Sequence, residues 1–326
     1  MKKNSLITIF LSFVISFFLF SDTVNAATNI KIAILAPKGS TWDKQLTKLA
    51  TDVKNKTKGE VILQFIGGGV MGDEDAVLRK MTTPQLQGGA FTGIGLGKIV
   101  PDVRVFEAPM LFSNTSQVDS ALSKITGTLE KKFNDKGYQL LGWAETGFVY
   151  VYSNTPIKSL KDMNGVKMWM WKGDPIAQAI FSEFKLSPNP LDITEVLTSL
   201  QTGLINGAYG PPLAAIAFQW HTKVKYMLNV PLAYSIGALI ITDQTWKKLK
   251  PDQQKILKDC ARAHLKTLVS NTRSDDKKAL QTLKAAGIKF TNPDPTELKN
   301  IKDACRRIQE KLAGSLYSKD LLNQIR

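Results

Sequence analysis

Hydrophobic and polar positions along the chain follow two periods in turn. In residues 29–36 the side chains of Ile30, Ile32 and Ile34 alternate with their neighbours, and this period of two predicts a strand. After a turn at 37–39, residues 41 to about 56 have the spacing of an amphipathic helix. Strands separated by segments of helix length predict βαβ units around largely parallel sheets, which is an α/β fold.

The same patterns continue along the chain. Residues 61–66 predict a second strand, closed by three glycines, and acids at 73–75 begin a helix that runs to about Met81. Further strands are predicted at 138–143, 148–152 and 166–171. The glycines at 88, 89, 93, 95 and 97 match neither the dinucleotide fingerprint nor the P-loop, so the interpretation is a close-packed turn.

The first 26 residues have the pattern of a signal peptide. Lys2 and Lys3 precede an apolar run from Leu6 to Phe20, and Val24-Asn25-Ala26 is a small-residue cleavage site. The run is shorter than the ~20 residues that a membrane span needs, so cleavage is favoured over an uncleaved anchor. The sequence therefore predicts an exported protein, most simply a periplasmic one.

Composition narrows the class of protein. The chain has 326 residues, of which 43% are hydrophobic and 22% charged, and this is typical of a soluble globular protein of about two domains. The formal net charge is +15, but only seven of the 43 basic residues are arginines and the lysines are mixed with acids. Nucleic-acid binders concentrate arginine and aromatic residues, so a solvated basic surface is the preferred interpretation and no nucleic-acid partner is predicted.

The residues that carry most catalytic and metal chemistry are scarce. Two His and two Cys leave little material for a zinc cluster, and no nucleophile elbow or His-Glu-x-x-His motif is present. The acids Glu145, Asp174, Asp192 and Glu195 supply material for a carboxylate pair, but sequence does not give their separation. No cofactor and no metal site are predicted.

The order of several motifs resembles a known family. These motifs are Gly72-Asp73-Glu74-Asp75, the segment 106–112 (FEAPMLF), the segment 152–167 (YSNTPIKSLKDMNGVK), the segment 197–207 (LTSLQTGLING) and the helix start at 249–254 (LKPDQQ). Together with the signal peptide they resemble the DctP-type substrate-binding receptors of tripartite ATP-independent periplasmic (TRAP) transporters. The likeness runs from about Asn29 to the C-terminal helices.

The resemblance implies a two-lobed α/β periplasmic binding protein fold, with discontinuous lobes, crossing hinge strands and a long helix that spans both lobes. Carried onto this chain, residues 1–26 are the signal peptide, lobe one is 27–146 plus 235–274, and lobe two is 147–234 plus 275–326. A small molecule is expected in the cleft, enclosed by hinge closure. The implied partners are the small and large TRAP membrane subunits. The receptor is expected to be a monomer and not an enzyme.

The chain departs from the family where the resemblance implies a carboxylate clamp. Most of these receptors carry an Arg two residues after a Lys on the strand that corresponds to 166–171, and this chain reads Lys167-Met168-Trp169. A second Arg, found in the sialic-acid branch, falls at Val149, and the cleft Asn of that branch falls near Gly210 or Pro211. No Arg lies between 105 and 261, so the usual clamp for an organic acid is expected to be absent.

Aromatic residues are expected in place of the carboxylate clamp. By alternation, Trp169 and Trp171 share one face of a strand, Phe148, Tyr150 and Tyr152 share a face of its neighbour, and Tyr209 follows the turn at Gly207. The predicted ligand-binding residues are Trp169, Trp171, Phe148, Val149, Tyr150, Tyr209, Gly210 and Pro211, whereas Phe218 and Trp220 are interpreted as core. This wall suits a ligand with an apolar or planar body. With Glu145 or Asp174 nearby it also suits a cation. An acid remains a further possibility, because Lys172 could attract it as a point charge.

Some alternatives remain open at the level of sequence. Cys260 and Cys305 are either a disulfide, as an oxidising compartment allows, or two buried thiols. An exported hydrolase and a receptor that serves a sensor system are the alternatives to a transport receptor.

Overall fold

The computed structural model describes residues 27–326, so the predicted signal peptide lies outside the described residues. The strands are β1 (Thr28–Ile34), β2 (Val61–Ile66), β3 (Gly88–Thr92), β4 (Tyr138–Ser153), β5 (Trp169–Trp171), β6 (Asn189–Leu191), β7 (Gly207–Gly210), β8 (Tyr226–Thr242) and β9 (Lys289–Thr291). The α-helices are α1 (Thr41–Lys56), α2 (Glu74–Thr82), α3 (Gly93–Ile99), α4 (Thr115–Asp135), α5 (Pro175–Glu183), α6 (Val196–Thr202), α7 (Pro212–Ala217), α8 (Asp243–Trp246), α9 (Pro251–Ala285), α10 (Pro295–Leu312) and α11 (Lys319–Ile325). Short 3-10 helices span Pro101–Glu107, Leu160–Met163, Ile193–Glu195 and Trp220–Thr222.

One mixed sheet runs through the molecule, in the order β2-β1-β3-β8-β4-β7, with β9 paired to β8. The pairs β1 with β2, β1 with β3 and β8 with β9 are parallel, as βαβ units require. β8 runs antiparallel to β3 and to β4, and β4 runs antiparallel to β7. The α/β class is confirmed, but the prediction of largely parallel sheets is wrong for the centre of this sheet, because β8 enters it in the opposite direction to its neighbours.

Strands β4 and β8 are the crossing strands of the fold. They pair along almost their whole lengths, from Tyr138 opposite Thr242 to Ser153 opposite Tyr226. The two strands predicted at 138–143 and 148–152 are one strand here, interrupted by three register shifts, one of them between Glu145 and Gly147. Gly147 has φ +113°, a conformation that residues with a side chain rarely adopt.

Helix α9, with 35 residues, spans the molecule behind the crossing strands and packs against α1, β4 and α7. The C-terminal helix α11 packs against α4, within the residues assigned to lobe one, although the sequence grouped 319–325 with lobe two. Leu321 and Leu322 accordingly share a core with Ile125 and Leu129. The lobe boundaries as a whole stay a prediction.

Separate hydrophobic cores support the two ends of the sheet. One core is centred on Phe106 and Phe133, a second on Ile30 and Leu49, and a third on Trp169 and Trp220. In 27–326, no helix has the length and apolar character needed to cross a membrane.

Candidate functional site: the cavity between the lobes

A cavity of about 490 Å³ is lined by residues of strands towards both ends of the sheet, among them β1 and β7. Its lining includes the loop between β1 and α1, Trp42 at the start of α1, and Phe218 after α7. It also includes Phe181 of α5, Leu186 after α5, and Cys305 of α10. Its walls are mostly apolar side chains, as is typical of small-molecule sites.

Six of the eight residues that the sequence proposed for ligand binding line this cavity. They are Trp169, Trp171, Val149, Tyr209, Gly210 and Pro211. Val149 and Val151 of β4 face the cavity, so alternation turns Phe148 and Tyr150 to the opposite face of that strand. Phe148 packs edge-on against Tyr234, with ring centroids 4.8 Å apart, and Tyr150 packs against the third core.

Trp169 is held rigidly in the cavity wall. Its side chain is 1% exposed, and its indole Nε1 donates a hydrogen bond to the Leu191 carbonyl at 3.0 Å. The ring stacks on Tyr209 with centroids 4.8 Å apart and meets the edge of Trp220 at 5.4 Å. Trp169 is thus both a core residue and a wall residue.

Trp220 is buried, as expected for a core residue, and Phe218 stacks on it with ring centroids 5.5 Å apart. Both residues also line the cavity.

Trp171 joins two distant segments. Its Nε1 donates to Oδ2 of Asp73 at 2.9 Å, and the same oxygen accepts a hydrogen bond from the Ile193 backbone at 3.2 Å. Oδ1 of Asp73 accepts from the backbone N–H of Glu74 and so caps α2. Burial raises the pKa of Asp73, while the three donors oppose that shift. Asp73 therefore ties the start of α2 to β5 and to the backbone at Ile193 beside the cavity.

Arg104 is a charged cavity residue that was not predicted from the sequence. It is 3% exposed, its Nη2 lies 2.7 Å from Oδ1 of Asp174, and its Nε lies 2.9 Å from Oε2 of Glu107. Burial raises the pKa of Glu107 to about 7, although the neighbouring guanidinium opposes this. Arg104 lies in a 3-10 helix, two residues before the segment 106–112, and belongs to none of the quoted motifs. The scarcity of arginine in the chain was the only sequence signal that could have pointed to it.

The glycines of α3 make room for this ion pair. A Cβ at Gly93 would lie 2.4 Å from the Glu107 carboxyl group, and a Cβ at Gly97 would lie 2.6 Å from Cγ and Cδ of Arg104. Residues four apart share one helical face, so the Gly-rich stretch is a packing surface for Arg104 and Glu107. The prediction of a close-packed turn is thus right about the packing and wrong about the turn, because the glycines at 88 and 89 lie in β3 and those at 93, 95 and 97 lie in α3.

The two acids considered for a cation cage are both paired with arginine. Asp174 binds Arg104, and Glu145 accepts hydrogen bonds from Nε and Nη2 of Arg273 at 2.6 and 3.0 Å. Lys172 is exposed and does not line the cavity. The described residues hold no group of three or more His, Cys, Asp or Glu placed to bind a metal ion.

The two cysteines are free and buried. Cys260 lies in the second core, with Leu257 and Leu265 of the same helix, whereas Cys305 lines the cavity. The structure thus contains two buried thiols.

Comparison with known proteins finds a family match over nearly the whole described chain. Residues 32–315 match the model of the DctP family, described as bacterial extracellular solute-binding protein, family 7. A relative described as a solute-binding protein, from Verminephrobacter eiseniae, is 26% identical over 271 residues, which are 82% of this chain and 80% of the relative.

Two solved structures illustrate the likeness of fold. The sugar acid binding protein DctPAm from Advenella mimigardefordensis, in complex with galactonate, has a TM-score of 0.86 at 19% identity and covers 92% of this chain and 97% of its own. A TRAP periplasmic solute binding protein from Pseudomonas putida F1, with bound D-glucuronate, has a TM-score of 0.83 at 25% identity and covers 91% of this chain and 96% of its own.

Proposed function

This chain belongs to the DctP family, family 7 of the bacterial extracellular solute-binding proteins, and we propose that it is the solute receptor of a TRAP transporter. Members of the family are periplasmic solute receptors, and the relatives and structural neighbours are substrate-binding transport proteins, not enzymes. In this proposal the first 26 residues are removed on export, and the mature receptor works as a monomer in the periplasm.

The single observation that carries the proposal is the cavity between the lobes, walled by side chains from both sides of the crossing strands. A solute enters when the lobes separate about β4 and β8. Closure then removes the solute from water and strengthens each polar contact in the cavity. The closed receptor delivers the solute to the small and large membrane subunits.

The ligand we propose has an apolar or aromatic body and is not held by the usual arginine clamp. The observation behind this is that Trp169 stands where the resemblance implies an arginine, stacked on Tyr209 in a mostly apolar wall. A planar apolar group is attracted to such a wall by dispersion and burial. The galactonate and D-glucuronate of the two solved relatives are acids, so this chain would differ from them in ligand chemistry.

Mass spectrometry of the small molecules that copurify with the receptor tests this function directly. We expect an apolar or aromatic compound, and we expect that compound to raise the Tm of refolded, ligand-free receptor, because binding to the folded state alone stabilises it. A receptor that carries and binds only sugar acids would contradict the proposed ligand class. A receptor that binds no solute from a panel of acids, aromatics and amines would contradict the function itself.

Substitution of Trp169 by Ala tests the wall. The variant loses the stacking on Tyr209, and we expect Kd for the copurifying ligand to rise at least ~10-fold, the equivalent of ~1.4 kcal/mol. Because removal of a buried Trp also costs ~3–5 kcal/mol of stability, Phe133→Ala is the control: it opens a cavity in the core of lobe one, away from the ligand. If both variants keep the affinity of the natural protein, the assignment of Trp169 fails.

A further inference from the structure

The ionisable groups buried in the cavity wall are unequal in number. The buried cation is Arg104, and the buried carboxyl groups are Glu74, Glu107 and Asp174. Burial raises the pKa of Glu74 to about 8 and that of Glu107 to about 7, so Glu74 is mostly neutral near pH 7. Lys44 and Lys158 also line the cavity, but both are exposed to solvent. A carboxylate ligand inside this cavity would therefore need Arg104 as its partner.

Two carboxyl groups lie against the guanidinium of Arg104: Asp174 accepts a hydrogen bond from it, whereas Glu107 is in charge contact without a hydrogen bond. Glu107 lies one helical turn along the same segment and faces Nε, while Asp174 reaches Nη2 from the other lobe, 70 residues away in sequence. Asp174 cannot turn away without loss, because its Oδ1 also caps α5 through the Ile176 backbone at 3.0 Å. The protein itself thus provides the carboxylate that Arg104 would otherwise take from a ligand.

This arrangement opposes the entry of an acid. A ligand carboxylate would add a negative charge beside a single cation that Asp174 already pairs, in surroundings of low dielectric where an unpaired charge is costly. Burial also raises the pKa of Glu107 to about 7, so this second carboxyl group at Arg104 is partly protonated near neutral pH.

Uncharged polar groups, in contrast, would find free partners. Four buried polar atoms of residues that line the cavity have no hydrogen-bond partner within 27–326: Trp220 Nε1, Tyr234 OH, Thr272 Oγ1 and Arg104 Nε. Three of the four are uncharged. Buried donors of this kind are normally satisfied, so they favour a ligand with a carbonyl, amide or hydroxyl group.

We propose that Asp174 is a specificity-determining residue: by occupying Arg104 across the lobes it makes the cavity select uncharged solutes and exclude carboxylic acids. This inference rests on the proposed receptor function and names the property of the cavity that sets its ligand class. In this proposal Asp174 has a second effect, because its ion pair with Arg104 also holds the lobes together when they close.

The test compares acids with amides of the same shape on refolded, ligand-free protein. The variant Asp174→Asn keeps the size and capping oxygen of the side chain and removes its charge, which leaves Arg104 open to an anion. Tm is measured with acetate and acetamide, and with phenylacetate and phenylacetamide, at constant ionic strength. The matched control is Glu183→Gln on the same helix, whose partner Arg307 lies outside the cavity.

We expect acetate to raise the Tm of Asp174→Asn by about 3 °C or more, while acetamide has no comparable effect. The natural protein and Glu183→Gln should not respond to either acid. The proposal is overturned if acetate stabilises the natural protein as strongly as Asp174→Asn, or if it stabilises neither. If Asp174→Asn does not fold, Asp174→Ser, which also caps a helix, takes its place. Acetate reports on Arg104 even if the natural protein binds no solute, so failure of the receptor function would be recognised separately.

Discussion

The indole Nε1 of Trp171 donates a hydrogen bond to Oδ2 of Asp73 at 2.9 Å. The two residues are 98 positions apart in sequence. Asp73 caps α2 at the same time, so the start of α2 is joined directly to strand β5 in the cavity wall. Together with the pair of Arg104 and Asp174, this contact stabilises the arrangement of the cavity wall.

Substitution of Trp171 by Phe should weaken ligand binding. The ring remains in the wall, but Asp73 loses one of its donors, and loss of a hydrogen bond to a charged group costs ~1.5–3 kcal/mol. In the proposed mechanism this contact forms when the lobes close on the ligand, so we expect Kd to rise at least ~10-fold, measured by calorimetry with the copurifying ligand. The control is Trp143→Phe, which removes a similar hydrogen bond, from Nε1 to Thr126 at 3.1 Å, within lobe one. Equal affinity losses in the two variants would contradict the role of Trp171 between the lobes.

Substitution of Gly97 by Ala should destabilise the protein. The new methyl group would lie 2.6 Å from the inner carbons of the buried Arg104 side chain, and a shift of that side chain would disturb its contacts with Glu107 and Asp174. Overpacking of this kind costs ~1–3 kcal/mol of the free energy of unfolding, measured by urea denaturation. Gly127→Ala provides the opposite control, because Gly127 lies inside α4 with open space around its Cβ position. There we expect a gain of ~0.5–1 kcal/mol, and a Gly97→Ala variant as stable as Gly127→Ala would contradict the packing argument.

Stability should depend on pH through Asp276. Burial raises the pKa of this carboxyl group to about 6, although the Leu213 backbone N–H donates to it at 3.0 Å. Between pH ~4 and ~6 the folded state therefore binds more protons at this site than the unfolded state, whose pKa is ~3.9. The contribution of Asp276 to stability thus falls as pH rises through this range, by about 2 kcal/mol once partial exposure is allowed for. Urea unfolding of the natural protein and of Asp276→Asn at pH 4, 5, 6 and 7 measures the difference, and parallel pH profiles would exclude this role.

The two cysteines should react as thiols. Burial raises the pKa of Cys305 to about 12, which leaves almost no thiolate for reaction in the folded state. We therefore expect Cys305 to remain unmodified by iodoacetamide under native conditions, and two alkyl groups to appear after denaturation without reductant. Mass spectrometry decides this, since a disulfide would allow alkylation only after reduction.

Residues near one another in sequence determined much of this protein. The period of two at Ile30, Ile32 and Ile34 specified a strand, and the acids at 73–75 marked the start of a helix, because both signals act within a few residues. The spaced motifs identified the family, and alternation placed Trp169 and Trp171 on one wall, where the structure has them.

The tertiary structure decided which face of β4 meets the cavity, because alternation gives two faces and only packing against β7 and β8 selects between them. It also decided the direction of β8 in the sheet, since local pattern carries no information on strand pairing. Above all it brought Arg104, Glu107 and Asp174 together: an ion pair formed across 70 residues has no sequence period, and its geometry exists only once two lobes and the glycine face of α3 are packed around it.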